Sequence, residues 1–236
     1  LDDFRMVVRT LCEVFDYVSV WCMAENDYLF VASARPNPVP LDRVLARFSA
    51  PGVRADLYRI SMLHPGQVLG RFITAGPTLR DWAAGAPVHT DDNALLEFSA
   101  PRAIFRNEAL LTAEELAGIQ KPPFEELIVA SSSDPRHEAV REQAASVARS
   151  RKLLAEAWEL GRQRQFAASL EKFIQAFECE PNNGFLYKTL IDREPLLREV
   201  DPRLAASPEL KAMFARIAAL RPPVVSTSVP ATLPEL

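Results

Sequence analysis

Apolar positions open the chain at intervals of three and four: Phe4, Val7, Val8, Leu11 and the pair Val14-Phe15. That spacing predicts a helix with one buried face, and Asp2 or Asp3 is placed to cap its start. The period then changes. Tyr17 to Met23 is β-branched and aromatic, Ala24-Glu25-Asn26-Asp27 reads as a turn, and Tyr28 to Ser33 is strand-like again. An antiparallel hairpin at the edge of a sheet is expected. Its second strand is nearly all apolar, which predicts cover on both faces.

After Pro36 and Pro38 the pattern is one of short helices: Leu41 to Phe48, Val53 to Leu57, Val68 to Phe72 and Leu79 to Trp82, separated by Pro51-Gly52, His64-Pro65-Gly66 and Gly76-Pro77. This predicts a small helical insertion on the sheet's edge. Phe72 and Trp82 either pack that insertion down or cover the mouth of a site. Thr112 with Glu115 three residues on has the form of a capping box opening a short helix that Pro122-Pro123 ends. Ser131 to Pro135 reads as a linker or cap before a long helix from about Pro135 to Arg162. Ala157, Leu160, Phe166, Leu170, Phe173, Ala176 and Pro181-Asn182-Asn183 then resemble one tetratricopeptide repeat, with Arg164 where Gly is usual and Ser169 where Ala is usual. A generic helical hairpin fits the same residues. Such a unit leans on neighbouring helices, here Phe185 to Leu197 and Pro208 to Leu220. The aperiodic stretch from Arg221 to Leu236 reads as a disordered tail.

With 236 residues, 48% hydrophobic and 25% charged, the chain can bury one good core and a second smaller one. A net charge of -4 without a dense basic run argues against nucleic acid as a partner. Three cysteines, Cys12, Cys22 and Cys179, lie in apolar or helical contexts with no Cys-x-x-Cys spacing, as expected in a reducing, cytoplasmic setting. No stretch reaches the ~20 apolar residues of a membrane span. The chain begins with Leu1 running straight into a helical pattern, so a continuation upstream is expected.

Two blocks carry a resemblance. Arg9 to Trp21 followed by Tyr28 to Ser33 resembles bacterial spermidine synthase-like proteins of the polyamine aminopropyltransferase family. Pro87 to Arg102, with its Thr-Asp-Asp, Leu-Glu-Phe and Ala-Pro-Arg segments, resembles the ending of the branch often fused to a membrane domain. The implied fold is α/β: the carboxy-terminal end of a Rossmann or methyltransferase-like sheet, with hairpin strands and helices, over residues 1–106. An all-α region follows over 107–220, its repeat-like unit near 150–183, and then the tail, 221–236. The implied activity of the intact protein is aminopropyl transfer from decarboxylated S-adenosylmethionine to an amine. The resemblance also leaves room for a membrane domain upstream.

The family's Gly-rich loop, ribose-binding acid and Asp-rich catalytic loop fall outside this chain, which has eight glycines and no Gly-x-Gly-x-x-Gly after a strand. No cofactor site is therefore expected here, and the nucleotide would be held by the missing amino-terminal half. The candidate substrate residues are Asp91 and Asp92. Adjacent carboxylates before an apolar segment can hold a cationic amine, or, with Thr90 and Asn93, can satisfy backbone N–H groups in a turn. Leu95 to Phe98 is expected to be extended, with Glu97 sequestered beside Arg102. His89 reads as a turn residue, and His64 and His137 are too scattered in sequence to suggest a metal site. Two functions follow: a transferase whose sheet this chain completes, or a catalytically decayed relative whose helical tail binds a protein partner.

Overall fold

A computed structural model describes residues 2–24, 27–103, 108–130 and 134–220. Residues 1, 25–26, 104–107, 131–133 and 221–236 lie outside it, and with them part of the expected turn, the expected linker and the expected tail. The described part is mixed α/β and mostly helical.

Helix α1 (Asp2–Val14) buries Met6, Val8 and Cys12 against the sheet. Its last carbonyls lack helical partners and meet Arg80 instead: Nη1 donates to Cys12 O at 2.7 Å and Nη2 to Phe15 O at 3.3 Å. Strands β1 (Tyr17–Ala24) and β2 (Asp27–Ser33) pair antiparallel, Tyr17 opposite Ser33 and Cys22 opposite Tyr28, so the hairpin forms where the sequence places it. The sheet's third strand pairs with the other side of β1, leaving β2 at the edge. One face of β2 is uncovered, contrary to the expectation of cover on both. Tyr28, Phe30 and Ala32 pack inward, while Leu29 and Val31 on the opposite side are 47% and 48% exposed. Helices lie on one side of this strand only, so its apolar composition overstates its burial.

The next elements are β3 (Val39–Pro40), α2 (Leu41–Phe48), α3 (Pro51–Arg59) and α4 (Pro65–Leu69). Phe72 belongs not to a helix but to β4 (Phe72–Ala75), which pairs antiparallel with β1. Phe-Ile-Thr-Ala is a β-forming run, and Phe72 is fully buried with its ring edge-on to Trp21. Helix α5 (Gly76–Ala83) follows at once. Gly76 makes the corner in the left-handed region, at φ 53°, under the ring of Tyr17.

Residues 95–98 are not extended. They open α6 (Leu95–Ala103), which packs against α1. Leu, Glu and Ala are good helix formers without β-branching, and Leu95 and Leu96 cover α1 while Glu97 and Phe98 face solvent. Glu97 is thus exposed rather than sequestered beside Arg102. Thr112 does not cap a helix start, because α7 (Glu108–Gly118) begins earlier and holds it buried in its interior. Glu115 is engaged elsewhere, ion-paired to Arg5 and accepting from Trp82 Nε1 at 3.1 Å. Leu116 of α7 joins the core between α1 and the sheet.

Past α8 (Pro123–Glu126) and β5 (Ile128–Val129), which pairs parallel with β3, comes the 28-residue α9 (Pro135–Arg162). Asp134 caps it by accepting from Arg136 N at 2.9 Å. Its first half crosses α4 so closely that a Cβ on Gly66 would stand 2.6 Å from Gln143 Cβ, and one on Gly70 2.5 Å from Val147 Cβ. Its second half pairs with α10 (Phe166–Cys179). Ser169 Oγ donates to Ala157 O at 2.7 Å, a close contact between two small residues. Arg164 turns the corner at φ 60°, a conformation glycine adopts without strain. Helices α11 (Gly184–Val200), α12 (Pro202–Ala205) and α13 (Pro208–Ala218) complete a second core around Phe173, Ile174, Phe177, Leu190 and Phe214.

Candidate functional site

A cavity of about 720 Å³ lies where the sheet's end of the molecule meets the helical region. Strands β1 and β2 contribute Cys22, Met23 and Tyr28, and the segment after α3 contributes Ile60 and Met62. Helix α7 adds Leu116, α9 adds Arg151, Leu154 and Trp158, and the α10–α11 connection adds Glu180, Asn182 and Asn183. Most of this wall is apolar. Its charged side chains are Arg71, Arg151, Glu180 and the more exposed Arg59, which is ion-paired with Asp56.

Arg71 sits at the turn from α4 into β4, and its guanidinium is ion-paired with Glu180, both side chains being nearly buried. The other oxygen of Glu180 accepts from Asn183 Nδ2 at 3.0 Å, and Asn183 Oδ1 in turn accepts from Leu186 N at 3.0 Å as the cap of α11. Burial pushes the Glu180 carboxyl above its ordinary value, opposed by Arg71, Asn183 and Arg151. Arg151 donates to the carbonyls of Arg71 at 2.6 Å and Phe72 at 2.8 Å, fastening α9 to the start of β4. Burial draws its pKa down to about 10, which leaves it charged at neutral pH. The group therefore holds two guanidinium ions against one carboxylate, and Arg71 Nε finds no acceptor among the described residues. Burial also raises the thiol of Cys22 and the phenol of Tyr28, keeping both protonated near pH 7. The cavity is suited to binding rather than to nucleophilic attack.

Asp91 and Asp92 lie elsewhere, exposed on a turn and apart from the residues that line this cavity. Asn93 shapes that turn: its Oδ1 accepts from Thr90 N at 3.0 Å and its Nδ2 donates to Val88 O at 2.8 Å. The two carboxylates are thus left facing solvent. His89 anchors the same segment to α1, its backbone N donating to Thr10 Oγ1 at 2.9 Å. His64 caps α4, its Nδ1 accepting from Gly66 N at 3.1 Å, and burial lowers its pKa. His137 is buried with Nε2 3.1 Å from Asp42 Oδ1 and 3.9 Å from Asp134 Oδ2. Arg136 already brings a cation to those aspartates, 2.6 Å from Asp134 and 3.8 Å from Asp42.

The buried ions escaped sequence reasoning, yet each left a trace. Arg151 occupies the apolar face marked by Val147, Leu154 and Trp158, and Arg71 is embedded in Leu-Gly-Arg-Phe-Ile. A lone charge inside an apolar stripe signals a buried partner elsewhere, but not which one. Comparison of the chain with known protein families, with curated proteins and with solved structures finds no match.

Proposed function

We propose that this chain forms the carboxy-terminal part of a spermidine synthase-like transferase, completing a Rossmann-type sheet begun by the preceding part of the protein. The observation that carries the reading is the free edge of β2. A helix leads into β1, β2 returns antiparallel beside it, and the outer edge of β2 has no strand against it among the described residues. Leu29 and Val31 leave the outer face of the same strand apolar and exposed. Such an edge is a template for a further strand, and a strand from the nucleotide-binding half would cover it.

In the intact protein, the amine nitrogen attacks the aminopropyl carbon attached to the sulfonium of decarboxylated S-adenosylmethionine. The C–N bond forms as the C–S bond breaks, methylthioadenosine leaves, and the attacking amine gives up a proton. Asp91 and Asp92, both exposed, are free to hold a distal ammonium of the amine by charge-assisted hydrogen bonds. The cavity around Arg71 carries the wrong sign for that amine.

The test uses the intact protein with D91N and D92N. If the aspartates hold the amine, its KM rises about tenfold for each ~1.4 kcal/mol of lost interaction, while nucleotide affinity and Tm stay put. A change in Tm with an unaltered amine KM would assign them to the turn alone.

A further inference from the structure

We infer that the cavity between the sheet and the helical region is a binding site for an anionic amphiphile, an apolar body carrying one carboxylate. This goes beyond the transferase reading and does not depend on it. Three features converge on that ligand class.

The first is shape and surface. At about 720 Å³, the space is of the size that holds small molecules, and its walls come from both regions of the fold: Tyr28 and Ile73 on the sheet, Leu116 on α7, Leu154 and Trp158 on α9, Phe185 on α11. An apolar body is what such walls solvate. The second is charge. Buried Arg71 and part-buried Arg151 line the wall beside one buried carboxylate, Glu180, so the polar end carries one positive charge in excess where uncompensated charge is costly. Burial and the field of Arg71 both weaken the hold of Arg151 on its proton, as expected where positive charge is in surplus. The third is an unmet donor. Arg71 is only 7% exposed, and its Nε is without an acceptor among the described residues although its neighbour Nη2 is committed to Glu180. A carboxylate seated beside Arg71 supplies both the missing charge and the missing acceptor, in the planar geometry a guanidinium favours.

Two of the wall's amide side chains are already engaged. Gln67 Oε1 accepts from Leu63 N at 2.6 Å and His64 N at 2.9 Å, and Asn183 serves Glu180 and α11. The buried unmet donor of the wall is Arg71 Nε, and head-group selectivity is assigned to it.

The experiment compares three ligands with one tail on the 236-residue chain: dodecanoate, dodecan-1-ol and dodecylammonium, each below its aggregation threshold, by calorimetry. Dodecanoate is expected to bind at least tenfold more tightly than the alcohol, and dodecylammonium most weakly. Ala155→Phe fills the cavity from α9 and should abolish binding of all three, and Ala117→Phe does the same from α7 should the first variant fail to fold. The matched pair R71Q/E180Q removes the unmet Arg71 donor while Arg151 keeps the net positive charge, and should lower dodecanoate affinity at least tenfold without changing that of the alcohol. Absence of binding, equal affinity for the three head groups, or dodecanoate affinity unchanged in a folded cavity-filling variant overturns the assignment.

Discussion

Two of the hydrophobic cores of this chain are built by different means. Around the sheet, α1, β1, β4 and α5 bring together residues far apart in sequence, with Val8, Val18, Ile73, Leu79 and Leu116 meeting in one cluster. In the helical region, α10, α11 and α13 stack on the end of α9, and their core follows helical periodicity almost residue by residue. Helix α9 belongs to both. Its front half meets α4 through Gly66 and Gly70, its back half meets α10 through Ala157, and Arg151 near the middle holds the start of β4. The contrast teaches where the fold is vulnerable: the helical core can lose a contact and keep its pattern, whereas the junction combines a small apolar cluster with close glycine contacts and buried ions that tolerate little change.

The sharpest way to break this comparison is to remove one member of the junction's ion pair. Arg71→Met alone should cost about 3–5 kcal/mol, because it removes the hydrogen-bonded ion-pair partner of buried Glu180, while R71M/E180L should recover part of that loss, Arg151 being left without a carboxylate. Denaturant melts that rank the double variant below the single would refute the account of the pair. Next is the α4–α9 crossing. Gly70→Ala should destabilise by about 1–3 kcal/mol through overpacking, and Gly52→Ala on α3, where nothing lies within 4 Å of the added Cβ, should be neutral or slightly stabilising. Equal Tm values for the two would remove the close crossing from the argument.

The helical region should respond more mildly. Arg164→Gly should raise stability by about 1 kcal/mol, since glycine relieves the left-handed backbone at the α9–α10 corner, although its greater freedom when unfolded offsets part of the gain. A loss of stability would mean that the Arg164 side chain contributes more than its backbone costs.

The smallest effect is a pH dependence. His64 has its folded pKa lowered below the ordinary 6.5 by burial, and its Nδ1 must stay unprotonated to cap α4. The unfolded chain therefore binds the proton more readily. The contribution of His64 is fully present above pH 6.5 and is lost as pH falls through that value towards the lowered folded pKa. His64→Asn keeps a capping acceptor and should flatten this part of the stability profile. An unchanged profile would assign it to other groups.

Legibility in the sequence followed the same divide. The long helix from Pro135 to Arg162, its cap at Asp134 and the helices after it were readable because their signals are local: an N-cap, a period of 3.6, a breaker. The hairpin was readable too, from β-branched and aromatic runs flanking polar residues. Phe72 misled because Val68 to Phe72 has helical spacing, and only the pairing of β4 with β1 makes Phe72 a strand residue. Leu95 to Phe98 misled in the opposite sense, since docking on α1 decides its helix. The cavity was not legible at all. Arg71, Arg151 and Glu180 are 80 and 29 residues apart along the chain, and no local pattern records that they meet.

The central proposal is that this chain completes a sheet whose nucleotide site lies outside the 236 residues. Calorimetric titration of decarboxylated S-adenosylmethionine into the 236-residue chain and into the intact protein tests it most directly. The account predicts saturable binding to the intact protein and none to the chain alone, which has no Gly-rich loop after a strand to receive the nucleotide. Micromolar binding to the chain alone, or none to the intact protein, would contradict it.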